Sequence, residues 1–285
     1  MNLQFGPAGS PIRFKEAGYK STLEMPNWLK GQGLQAFEYA CGRGYVFGED
    51  FAKEMGERAL NAGISMSLHA PYYINLATED DERKEKVLTY LKDAVKFAKM
   101  MNADRIVFHP GGASKGREVA LFNAQNLLSR FLEWMSEEDP NKQILLGIET
   151  HGTKNQLGNL EELIALCKLD TERMIPVIDW AHLHAVANGG YAQKEDYLLV
   201  LESIATHLGD SLLQRMHMHF SAIEYGPSGE LRHRTFAETG YGPDREPLLE
   251  ALLDMNASGR VICECAGTQD VDALFLQNIY KSMIK

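Results

Sequence analysis

Short apolar, β-branched and aromatic runs alternate along the chain with longer stretches whose apolar residues recur every three or four positions. Eight short runs read as strands: residues 3–5, 34–39, 65–69, 105–109, 144–149, 175–179, 216–220 and 260–264. The longer stretches read as helices. Over residues 81–101, Val87, Leu88, Leu91, Ala94, Val95 and Ala98 share one face, and Thr78 with Asp81 reads as a capping box. Leu160, Leu163, Ile164 and Cys167 form a second stripe behind an Asn159 N-cap. Val271, Leu274, Phe275 and Ile279 form a third near the C-terminus. Eight strands with helices between them predict an α/β chain, a single (β/α)8 TIM barrel over 1–285, with any site at its C-terminal face.

The glycine clusters fall mostly just after the strand runs, where barrel loops carry sites. None has the spacing of a Walker or dinucleotide loop. No apolar run reaches the length of a membrane span. The first residues lack the basic-then-apolar order of a secretory signal. Cys41, Cys167, Cys263 and Cys265 form no CxxC pair and read as buried thiols in a reducing cytoplasm. The 285 residues carry 29 Lys+Arg against 39 Asp+Glu, a formal charge of −10, which argues against nucleic-acid binding by bulk charge.

The chemistry lies at the strand ends. Run three ends in His69, run four in His109, run five in Glu149 and run eight in Glu264. Run six ends in Asp179, with His182 and His184 close behind. Run seven carries His217 and His219, and Glu230 and His233 follow in the next loop. Seven of the nine histidines are in this set. Parallel barrel strands converge on one face, where a ring of buried carboxylates and imidazoles is costly without cations. This donor mix suits zinc, with manganese or iron as competitors, and two or three ions fit its size. His207 reads as a helix-surface residue and His151 as a loop residue. Cys263, Cys265, Met216 and Met218 alternate with the inward residues and face the helices.

The segments LHAPYYINL, FHPG, GIETHG, IDWAH and ICECAG resemble those of the endonuclease IV family of apurinic/apyrimidinic endonucleases, within the xylose-isomerase-like barrels. The resemblance implies a trinuclear zinc centre that cuts damaged double-stranded DNA 5′ to an abasic site. It implies His69 and His109 on a first ion, with Glu149 bridging to a second. Asp179, Glu264 and a strand-seven histidine would complete the second, His219 being preferred to His217. His182 and His233 would hold the third. Glu149 and Glu264 would orient the reacting groups, and Tyr72, Tyr73 and Arg43 would contact DNA.

Three departures qualify that reading. The family's Asp-x-His becomes Glu230-Leu231-Arg232-His233, with the acid one residue further away. The family's His-x-Asn-Asp becomes His219-Phe220-Ser221-Ala222. The chain also stays acidic with three divalent ions bound. A sugar isomerase or epimerase is the second reading; it would use Glu149, Asp179, His219 and Glu264 and leave the other histidines surplus. An inactive lesion- or metal-binding protein is the third. A cytoplasmic monomer without membrane association is expected.

Overall fold

The computed structural model describes residues 3–284. Its strands are β1 (Leu3–Pro7), β2 (Ala36–Ala40), β3 (Ser65–His69), β4 (Ala103–Phe108), β5 (Leu145–Glu149), β6 (Met174–Asp179), β7 (Met216–Phe220), β8 (Ala222–Gly226), β9 (Gly229–Arg234) and β10 (Gly259–Cys263). Eight are parallel, in the order β1-β10-β7-β6-β5-β4-β3-β2. Isolated bonds across β1 and β2, from Gln35 N to Phe5 O at 3.0 Å and Gly9 N to Glu38 O at 2.9 Å, draw the ends into a nearly closed barrel. Gly6 permits this approach, since a Cβ there would lie 1.8 Å from Ala36 O.

The helices are α1 (Ile12–Glu16), α2 (Met25–Gln32), α3 (Glu49–Ala62), α4 (Asp81–Met100), α5 (Arg117–Glu138), α6 (Leu160–Cys167), α7 (Trp180–Val186), α8 (Lys194–Leu208), α9 (Arg245–Asp254) and α10 (Gln269–Met283). α4 buries the six residues expected of it. Its cap differs: Asp80, not Thr78, accepts from Arg83 N at 2.8 Å. α6 begins with the Asn159 cap, closed reciprocally by Glu162. In α10 the buried face is shifted round the helix to Ala273, Leu276, Gln277 and Tyr280, leaving Val271 and Phe275 exposed. Polar anchors set that rotation. Arg13 binds Asp270 at 2.9 Å, and Gln277 donates to Gln35 at 2.8 Å.

All four cysteines are buried and free. Met216, Met218, Cys263 and Cys265 join the apolar layer between barrel and helices. Strand alternation therefore turns His217, His219 and Glu264 inward. The barrel interior is polar along much of its length, with Glu38, Ser67, Arg105, His217 and Arg260 all buried. At its N-terminal end, Arg260 Nη1 donates to Met66 O at 2.8 Å and to Asp104 at 2.7 Å. Among the described residues, no helix is long and apolar enough to cross a membrane.

Candidate metal centre

Four inward strand ends meet first. Glu149 Oε2 lies 2.9 Å from His69 Nε2 and 3.4 Å from His109 Nε2, while its Oε1 lies 2.9 Å from His219 Nδ1. Glu264 Oε1 is 3.6 Å from the same His219 nitrogen. Donor atoms close enough to share an ion fall into three sets at the mouth: His69, His109 and Glu149; Glu149, Asp179, His219 and Glu264; and Asp179, His182 and His233. Glu149 joins the first two sets and Asp179 the last two.

The Asp179-x-x-His182 spacing has a local cause. Asp179 ends β6 and caps α7, its Oδ1 accepting from His182 N at 2.8 Å. An N-cap uses one carboxylate oxygen. The other, Oδ2, is buried without a hydrogen-bond partner and lies 3.5 Å from His182 Nδ1. The rear nitrogens of several rings are also held. His69 Nδ1 is 2.9 Å from Ala70 O, His182 Nδ1 is 2.9 Å from Thr150 O, and His233 Nδ1 is 2.6 Å from Ser221 Oγ. The two carbonyls fix the tautomers of their rings, the hydroxyl holds the third ring in place, and each contact leaves the opposite nitrogen for an ion.

Glu230 and His233 lie not in an irregular loop but on β9, in an antiparallel hairpin with β8. Residues three apart on a regular strand face opposite ways. Here Tyr225 pairs with Glu230 and Glu224 with Arg232, so Leu231 is an extra, bulged residue. The bulge brings Glu230 and His233 to the same side. Glu230 is 3.3 Å from His182 Nε2 and 3.3 Å from His233 Nε2. The longer spacing therefore delivers the acid to the third set. Gly152 makes room for it, since a Cβ there would meet Glu230 Oε2 at 2.5 Å and His182 Cδ2 at 2.7 Å. Gly152→Ala is expected to displace both Glu230, whose Cβ would lie 2.8 Å from the new methyl, and the His182 ring, while leaving the barrel folded. Metal analysis should then show loss of one ion with the others retained; unchanged metal content would count against this packing.

Several residues fall elsewhere. His217 does not join the mouth; it lies deeper, 2.9 Å from Glu38, because it sits two residues earlier on β7. His184 turns toward Tyr191, whose N–H donates to its Nδ1 at 3.3 Å. His207 is exposed on α8. His151 is nearer the centre than its loop position suggested, its ring centroid 4.8 Å from that of His109. Tyr72 and Tyr73 stand on the rim, 58% and 45% exposed, their rings 4.5 Å apart. Arg43 is exposed on the adjoining loop, tied to theirs by Tyr72 N donating to Gly42 O at 3.2 Å.

The donor set fits divalent cations. Among the described residues, no Lys or Arg forms an ion pair with Glu149, Asp179, Glu230 or Glu264; their charged contacts are all imidazoles. Burial opposes charge on His69, yet contact with Glu149 lifts it to about 9. Burial likewise opposes His182, which Asp179 and Glu230 lift to about 10. Burial would raise Glu149, but His219 and His69, each 2.9 Å away, hold it well below the carboxylate range. His109 goes the other way: burial drives it down to about 3, leaving a neutral ring suited to ligation. Protons on imidazoles thus carry the balancing charge here, and cations would replace them.

Fold and site together define a parallel (β/α)8 barrel with a candidate polynuclear metal centre at its C-terminal mouth. Residues 26–279 match the family described as xylose isomerase-like TIM barrel, and the chain belongs to it. An uncharacterised protein of Methanocaldococcus jannaschii is 33% identical over 285 residues, covering 99% of this chain and 98% of its own. A probable endonuclease 4 of Acholeplasma laidlawii is 29% identical over 181 residues, covering 61% of this chain and 59% of that protein. Among solved structures, endonuclease IV from Thermus thermophilus superposes with a TM-score of 0.70 at 21% identity, covering 99% of this chain and 98% of that one. A D-tagatose 3-epimerase-like protein gives 0.74 at 18% identity, with the same coverage. At these identities the two superpositions speak to fold alone.

Proposed function

We propose that the protein is a metal-dependent phosphodiesterase that cleaves duplex DNA 5′ to abasic sites. The observation that carries this reading is the three-part donor set, with its third part delivered by the β8–β9 hairpin. A sugar epimerase needs only the set around Glu149, Asp179, His219 and Glu264. It gives no role to His69, His109, His182, Glu230 and His233, which with Glu149 and Asp179 form the two flanking sets.

Divalent ions held there would act as Lewis acids on a phosphate and lower the pKa of water. The chain's own part is to place them. Glu149 and Asp179 each serve two positions, so they fix the spacing. Glu264 completes the second set beside His219; its carboxyl, raised by burial against the pull of His219 in the metal-free chain, would be held as the anion by an ion there. Tyr72 and Tyr73 offer exposed rings, tilted to one another, beside the site, and Arg43 a cation for the backbone.

The test is metal analysis joined to an incision assay. Purified protein is expected to carry two or three divalent ions per chain and to nick a duplex 5′ to a stable abasic analogue, leaving a 3′-hydroxyl. Less than one ion per chain after incubation with zinc or manganese, or no incision with either, overturns the reading.

A further inference from the structure

His219 differs from the other imidazoles of the mouth in what lies behind it. His69, His182 and His233 rest their rear nitrogens on a main-chain carbonyl or a hydroxyl. The rear nitrogen of His219, Nε2, points down the barrel and lies 2.9 Å from Glu38 Oε1. Glu38 Oε2 lies 2.9 Å from His217 Nε2. All three side chains are fully buried. Neither carboxylate oxygen has a better partner, and the approach to each ring is close but oblique to its N–H. A carboxylate so deep in a barrel is costly to keep, and removing one partner of such a group strands the others.

We propose that Glu38 is a positioning residue for His219. With an ion bound, it holds the ring with its proton on Nε2 and its Nδ1 lone pair free for that ion on the side of Glu149 and Glu264, while His217 fixes the second carboxylate oxygen. The inference rests on the metal reading of the mouth. Its basis is the stacking of strand layers. Glu38 on β2 and His217 on β7 face inward one layer below the strand ends, so the carboxylate reaches His219 from beneath without entering the mouth. Strand carbonyls at that depth serve the sheet ladder, which leaves a side chain to supply the acceptor. A carboxylate also makes the ring a stronger donor to an ion than a carbonyl does.

Glu38→Met removes the acceptor with little change in shape, and Glu38→Gln keeps an acceptor without the charge. Two measurements are made on each metal-loaded protein: chelator competition for each ion, and 15N NMR of histidine-labelled protein, with His219 assigned through His219→Asn. Outer carboxylates of this kind are worth about 10–100-fold in metal affinity. The oblique approach places the expected loss for Glu38→Met near the lower figure, about tenfold, and confined to one ion. Glu38→Gln should lose less and keep the Nε2–H tautomer, whereas Glu38→Met should show a tautomer mixture.

Whether Nε2 of His219 carries a proton is read in the unsubstituted chain with and without metal, so it reports on Glu38 even if no ion binds or Glu38→Met fails to fold. Missing metal alone overturns the reading of the mouth. A bare Nε2 on His219 in either state of the unsubstituted chain, or unaltered affinity and tautomer in Glu38→Met, overturns the role of Glu38. So does a further ion that leaves with Glu38, since that would make the carboxylate a ligand itself.

Discussion

Glu149→Gln is expected to abolish turnover and weaken metal binding at two positions at once, while leaving the barrel folded. Each oxygen of Glu149 faces a different donor set, Oε2 toward His69 and His109 and Oε1 toward His219. The amide presents one neutral oxygen and an NH2 that repels a cation, so one set loses its anionic donor and the other keeps a weaker one. A loss of at least about 10²–10³-fold in kcat is expected, the scale seen when one preorganised electrostatic contact is removed. Folding should be spared, because the apolar layer between strands and helices does not depend on this carboxylate. In the metal-free chain Glu149 is also the counter-charge of His69 and His219, so the melting temperature of the metal-free variant should fall below that of the unsubstituted metal-free chain while the barrel still folds. Initial rates, metal content and thermal melts read this together. Activity within about threefold of the parent would show that Glu149 does not bridge.

His182→Ala and His233→Ala separate the two enzyme classes. Both rings belong to the set completed by Glu230 and Asp179. A nuclease that needs this set to hold phosphate should lose incision by about 10²-fold or more with either substitution. An epimerase acting at Glu149, Asp179, His219 and Glu264 should lose little. Incision by the parent should also weaken with salt, because each phosphate contact releases counterions. The net charge of −10 implies few such contacts and a shallow slope. Metal-dependent interconversion of ketoses, with no incision of an abasic duplex, would decide for the epimerase.

The fold was legible because its signals are local and repeated. Each strand run is short and apolar, each helix has a stripe, and the strand ends carry one chemical theme. Where a polar residue ruled the outcome, the pattern misled. The stripe over Val271 and Phe275 ignored Asp270 and Gln277, whose partners lie more than 240 positions away in the chain. Thr78 lost the cap to Asp80 within the ordinary uncertainty of a helix boundary. His217 and His219 share a face, so alternation alone could not rank them. Depth along the strand did. Glu38 carried no motif, and only the closed barrel brings β2 beneath β7. His151 was set aside because its loop conformation, unlike a strand's, cannot be read from periodicity.

The bulge at Leu231 bears on how such centres are recognised at all. Two donors on one edge of a hairpin must point the same way, and that is a condition on parity rather than on the number of residues between them. An insertion reverses the parity, and a bulge restores it at the cost of one unpaired residue turned to solvent. Leu231 is that residue, 65% exposed. A signature written as a fixed gap divides chains that build the same constellation. One that allows an even gap to pair with a bulged strand would unite them, and it would find in other sequences donors that stand one step out of place.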